Sequence, residues 1–191
     1  MALENIDTSS YNSFRTDALL KASQGLGYDA DRYYGYQCWD LAAELWQNIG
    51  FGTGYPQTGA NSYAMECWTN PTSRANNTGT VFTQVTNITD LKRGDVIVIG
   101  NSPVSTTGHI AFCDENYNGT TQMKLLGQNQ VNPSPTLGHI PTVTELDISA
   151  FLGAFRYKAW SQAGVTRIRK VKHFPWAIYA RRLREKRNNM L

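Results

Sequence analysis

GDVIVIGNSPVSTTGHIAFCDEN, Gly94 to Asn116, holds two short runs of β-branched and aromatic residues, each opened by glycine and divided by a Ser/Thr/Asn/Pro loop. Runs of this kind between turn residues predict strands. QMKLLGQN (Gln122 to Asn129) and GAFRYKAW (Gly153 to Trp160) downstream have the same build. Upstream the period changes. Cys38, Leu41, Ala42, Leu45, Trp46 and Ile49 fall at the spacing of one buried helical face, and Gly50 is the expected stop. Phe14, Ala18, Leu19 and Ala22 mark an earlier helix, ended by Gly25-Leu26-Gly27. From Gly52 to Asp90 the chain reads as loops, with a short helix near Tyr63 to Trp68 and a VFTQV fragment. Helices first and strands afterwards is an α+β order, because parallel α/β domains interleave the two. The expected architecture is N-terminal helices packed on an antiparallel β-sheet.

A length of 191 residues suits one domain plus an extension. The charge divides in the same way. Residues 165–191 hold 9 Lys+Arg against 1 Asp+Glu, and residues 1–164 hold 9 against 14, so the total of +3 is an acidic body of −5 and a basic tail of +8. The domains are therefore read as 1–164 and 165–191. The tail predicts a helix, with Pro175 in its first turn and Trp176, Tyr179 and Leu183 along one narrow face. No stretch of 18 apolar residues suggests a membrane span, and MALENIDTSSYNSF has neither the basic nor the apolar region of a signal peptide. Cys38, Cys67 and Cys113 are odd in number and far apart, which argues against a disulfide framework and against paired zinc-binding cysteines.

A thiol becomes a useful nucleophile on ionising, which a helix N-terminus and a histidine both favour. Cys38 stands at the first turn of the predicted second helix, where backbone amides could also hold an oxyanion. Of the three histidines, His109 opens a strand after a glycine-containing loop, His139 lies in a loop and His173 in the tail, so His109 is the expected base. A catalytic imidazole needs a partner that fixes its tautomer, and LLGQNQ offers the amides of Gln128 and Asn129. Cys67 and Cys113 read as core residues. A zinc site on His109 and Cys113 is a weak rival, since no further ligand pair accompanies them. In the loop before Cys38, Asp29, Asp31 and Asp40 surround a glycine-containing stretch in which Tyr33 and Gly35 could present carbonyls. Such oxygen-only donors suit Ca²⁺, although the run is not an EF-hand.

Taken together, YYGYQCWDLAAELW around Cys38, GDVIV followed by GHIAF around His109, LLGQNQ and the closing GAFRY resemble the CHAP family over about residues 11 to 160. These are the cysteine, histidine-dependent amidohydrolases/peptidases of bacteriophage endolysins and bacterial wall hydrolases. The resemblance implies a papain-like α+β fold. It makes Cys38 the nucleophile, His109 the general base and Asn129 the residue that orients the histidine, with Gln37 and Gln128 supporting the oxyanion or its surroundings. Many members carry an acidic residue two positions before that asparagine, as in an E-Q-N run, whereas Gly127 stands there in this chain. Asp29, Asp31, Tyr33, Gly35 and Asp40 resemble the calcium site of certain phage members.

The implied activity is cleavage of an amide in the peptide part of peptidoglycan during phage lysis or wall penetration, with an endopeptidase favoured. The alternatives are an N-acetylmuramoyl-L-alanine amidase and a non-catalytic wall-binding or virion structural protein. Peptidoglycan is the expected partner. The tail is expected to meet anionic wall polymers or another virion protein, and no nucleic-acid partner is expected. The implied location is the phage particle, or the host cytoplasm with holin-dependent release.

Overall fold

The computed structural model describes residues 6–101 and 105–161. Ser10 starts the first helix, Tyr11–Ser23 (α1), its side-chain oxygen accepting the N–H of Ser13 at 3.1 Å. Tyr11, Phe14 and Ala18 are the buried face of that helix. Cys38–Asn48 (α2) is buried almost throughout, from Asp40 to Gln47, so it is a core helix. Two short helices follow, Glu66–Thr69 (α3) and Pro71–Thr78 (α4). Asn70 caps the latter by accepting the N–H groups of Thr72 and Ser73, and Pro71 fits its first turn because that position needs no donor. A last short helix, Lys158–Ser161 (α5), comes after the strands.

The strands are Phe82–Val85 (β1), Val96–Ile99 (β2), His109–Cys113 (β3), Gln122–Gly127 (β4), Thr142–Asp147 (β5) and Phe151–Tyr157 (β6). They form one sheet in the order β1-β6-β2-β3-β4-β5, with every neighbouring pair antiparallel. The architecture is α+β, as expected. β2 and β3 lie at its centre and are buried along their whole length, which explains their unbroken apolar runs.

Alternation along the central strands divides the core between two faces. Val96, Val98, Ile110, Phe112 and Phe155 pack with Phe14, Leu45 and Trp46 on the helical side. Ile97, Ile99, Ala111, Cys113 and Ala154 face the other way, where Leu91 and Ile148 join them and Ile88 and Tyr117 pack from connecting segments. Asp95, buried at the start of β2, forms a two-pronged ion pair with Arg156 of β6, Oδ1 to Nε at 2.8 Å and Oδ2 to Nη2 at 2.7 Å. Trp160 then closes the helical side against Tyr11 and Phe14, with its indole N–H on the Thr8 carbonyl at 2.9 Å.

Three details depart from the sequence reading. The run ending at Trp160 is strand only to Tyr157. β1 was visible only as a fragment and β5 not at all; both are edge strands, with two buried residues in β1 and only Leu146 buried in β5. The helix expected near Tyr63 to Trp68 starts at Glu66 and is followed at once by α4. Among the described residues, no helix is long and apolar enough to cross a membrane. The predicted tail helix and His173 lie outside the described residues.

Candidate active site

β3 and β4 pair only at Phe112–Leu126 and Cys113–Leu125, so the first half of β3 is left beyond the end of that ladder. The start of α2 meets β3 there. The half-buried Cys38 is the first residue of the helix, and the N–H of Ile110 is close enough to its sulfur to favour the thiolate. The nucleophile candidate thus lies against the residue next to His109.

Several bonds hold the helix start in place. Asp40, in the first turn, accepts the N–H of Gln37 through Oδ2 and that of Ala30 through Oδ1, both at 2.8 Å. Gln128, fully buried, accepts the N–H of Tyr28 at 2.7 Å and donates to the carbonyls of Tyr28 at 3.0 Å and Gln37 at 2.9 Å. The loop before Cys38 is further joined to the 129–140 loop by a parallel bridge between Tyr36 and Gly138. Gly35 at φ 67 and Gly138 at φ 62 adopt the left-handed region, and a Cβ on either would run into the facing backbone, on Leu137 or Tyr36.

Burial dominates the protonation of both reactive groups. It pushes the Cys38 thiol up to about 11, against the pull of the Ile110 N–H and the first-turn amides. It pushes the His109 imidazole down to about 4, opposed by the hydrogen bond that the ring donates to Gln130. At neutral pH burial therefore holds Cys38 as a thiol and His109 as a neutral imidazole.

The polar residues expected to serve this pair are arranged differently from the sequence reading. Asn129 has its hydrogen bonds with Gln37 and Ser134, not with His109. Its Nδ2 donates to Gln37 Oε1 at 2.7 Å and to the Ser134 carbonyl at 2.9 Å, and its Oδ1 accepts the Ser134 N–H at 2.8 Å. The amide facing His109 belongs to Gln130, whose Oε1 lies 3.3 Å from His109 Nε2. Sequence spacing could have placed either neighbour there, and the side-chain direction after a strand ends is not encoded in a period. The Gln37 and Gln128 amides are likewise engaged, since Gln37 Nε2 donates to the carbonyls of Tyr34 and Ser134. They brace the helix start, and their donors are taken up by backbone carbonyls.

Cys67 and Cys113 are fully buried and their thiols are pushed up by burial, as suits core residues. His109 and Cys113 stand four residues apart on a strand, a separation of about 13 Å, too far to share one zinc ion.

Asp29, Asp31 and Asp40 do come together, with one oxygen from each within 4.8 Å of the others. Burial first, and then repulsion from Asp29, raises the Asp31 carboxyl; Asp40 rises to about 8, first by burial and further by its charged neighbours. Three hard oxygen donors crowded in this way fit a cation such as Ca²⁺. Tyr33 donates its N–H to Asp31 Oδ1 at 2.7 Å, and the carbonyl of Gly35 accepts the Gln37 N–H at 2.9 Å.

The start of α2, with Cys38, thus lies beside β3, the strand that opens with His109. The CHAP domain profile matches residues 27–129, more than half of the chain, and the chain belongs to the CHAP family. The fold is similar to that of the wild-type endolysin LysIME-EF1, with 24% sequence identity and a TM-score of 0.56 over 75% of this chain and 63% of that one. Ly7917 is also similar, alone and with the hydrolyzing product of MDP, at 16% identity and a TM-score of 0.45 over 75% of this chain and 62% of that chain. The chain thus spans less than two thirds of the length of these structures.

Proposed function

We propose that the protein is a peptidoglycan hydrolase that cuts an amide bond in the peptide part of the wall by a thiol mechanism, serving phage lysis or wall penetration. The observation that carries this reading is the place of Cys38, at the start of α2 and beside Ile110 of β3, one residue from His109. His109 takes the thiol proton as sulfur attacks the scissile carbonyl carbon, and first-turn amides of α2 receive the oxyanion. The imidazolium then gives that proton to the leaving amine as the C–N bond breaks, which leaves an acyl-thioester. Water, deprotonated by His109, attacks the thioester carbonyl, and the departing thiolate regains a proton.

Cys38→Ala and His109→Ala are each expected to abolish clearing in a peptidoglycan zymogram while melting as cooperatively as the parent. Undiminished clearing by either variant would sink the reading. The calcium-type loop favours an endopeptidase, and mass spectrometry of the released muropeptides tests this. A new peptide amino terminus supports it, and free stem peptide released from muramic acid means an amidase.

Ca²⁺ is the proposed bound metal, held by Asp29, Asp31 and Asp40 with the carbonyls of Tyr33 and Gly35. When bound, it neutralises crowded carboxylates and orders the loop that leads to Cys38, without taking part in bond cleavage. EDTA is expected to lower the melting temperature, and added Ca²⁺ to restore it. A melting curve indifferent to both would exclude the metal.

A further inference from the structure

We propose that Gln130 is the residue that positions His109, taking the place of the side chain that Gly127 lacks. Gln130 lies one position beyond the matched family span and is 5% exposed. Its Nε2 donates to the carbonyls of Leu125 at 3.0 Å and Thr142 at 2.8 Å, with Thr142 Oγ1 also near at 3.2 Å. An amide NH₂ has two protons, and two carbonyls take them. Rotating the amide by half a turn would set Oε1 against both carbonyls, so its orientation is fixed by the ends of β4 and β5, where Gly127 pairs with Thr142.

The tautomer of the histidine follows. Oε1 can only accept, so His109 Nε2 carries the proton and Nδ1 holds the lone pair. The contact is 3.3 Å in the neutral ring, and it becomes charge-assisted once Nδ1 has taken the thiol proton. Gln130 therefore stabilises the imidazolium more than the resting imidazole.

Gly127 belongs to the same arrangement. A Cβ there would lie 2.5 Å from Gln130 Oε1 and 3.1 Å from Ala111 Cβ. The space that a side chain at 127 would enter is the space the Gln130 amide occupies, so the bare position and the folded-back glutamine require each other.

The kinetic consequence rests on the hydrolase reading above, whereas the tautomer does not, and the test separates them. Gln130→Met keeps the volume and removes the acceptor. By ¹⁵N NMR at pH 7, with His109→Gln used for assignment, the parent is expected to show His109 protonated at Nε2 and Gln130→Met a mixture of tautomers. Wall cleavage by Gln130→Met should fall roughly 100-fold in kcat with KM little changed, the scale of a misplaced general base. In Gln130→Ala, adding Gly127→Glu should recover part of that loss by putting an acceptor into the vacated space. An Nδ1-protonated ring in the parent, an unchanged tautomer in Gln130→Met, or parent-level kcat in that variant would each overturn the proposal. If Cys38→Ala still cleaves walls, the hydrolase reading falls and the NMR result alone decides the role of Gln130.

Discussion

His109 is 4% exposed, and burial holds its imidazole near 4, below the ordinary value of 6.5. Between those two values the unfolded chain binds a proton that the folded one refuses. The contribution to stability is therefore complete above pH 6.5 and is lost as pH falls toward 4, by about 3 kcal/mol across the window. Urea melts of the parent and His109→Gln from pH 4 to 7 are expected to show their stability difference shifting against the parent by that order as pH drops. A pH-independent difference would mean that the ring is not held neutral. At this scale the sequence was uneven as a guide. Cys38 and His109 stood out because a helix start and a strand start are visible as changes of period. The residue that meets the imidazole did not, because Asn129 and Gln130 are adjacent amides in a turn. The deciding fact is that Asn129, at φ 52, turns its side chain to Gln37 and Ser134.

Among the elements, legibility followed position in the sheet. β2 and β3 are central and buried on both faces, so a run of apolar residues announced each of them. β1 and β5 form the two edges and bury little, so FTQV and TVTELD carry almost no periodic signal. Small residues inside strands mark where elements meet closely. Gly153 of β6 lies under the indole of Trp68 from α3, and a Cβ there would fall on Cε2 and Cζ2 of the ring, itself only 5% exposed. Gly153→Ala is expected to cost about 1–3 kcal/mol by forcing α3 away from the sheet. Gly52→Ala, in open space, should melt within error of the parent. Thermal denaturation of the two variants checks this; equal melting temperatures would show that α3 rides freely on β6.

For the molecule as a whole, the charge divides between an acidic body and a basic run over residues 165–191. Trp160 touches Tyr11, Phe14, Phe112 and Tyr157, and none of these contacts involves the basic run. Removing residues 165–191 should therefore leave the fold standing, with a melting temperature within a few degrees of the parent. It also changes the net charge from +3 to −5, which should weaken attraction to a polyanionic wall. Attraction of this kind is screened over about 10 Å at 0.1 M salt and about 3 Å at 1 M. Cosedimentation with purified walls that carry anionic polymers is expected to be strong for the full chain at low salt, to fall steeply toward 1 M, and to be weak and nearly salt-independent for the truncated one. Walls stripped of those polymers should erase the difference. Equal binding by both chains at low salt would assign wall affinity to the acidic body.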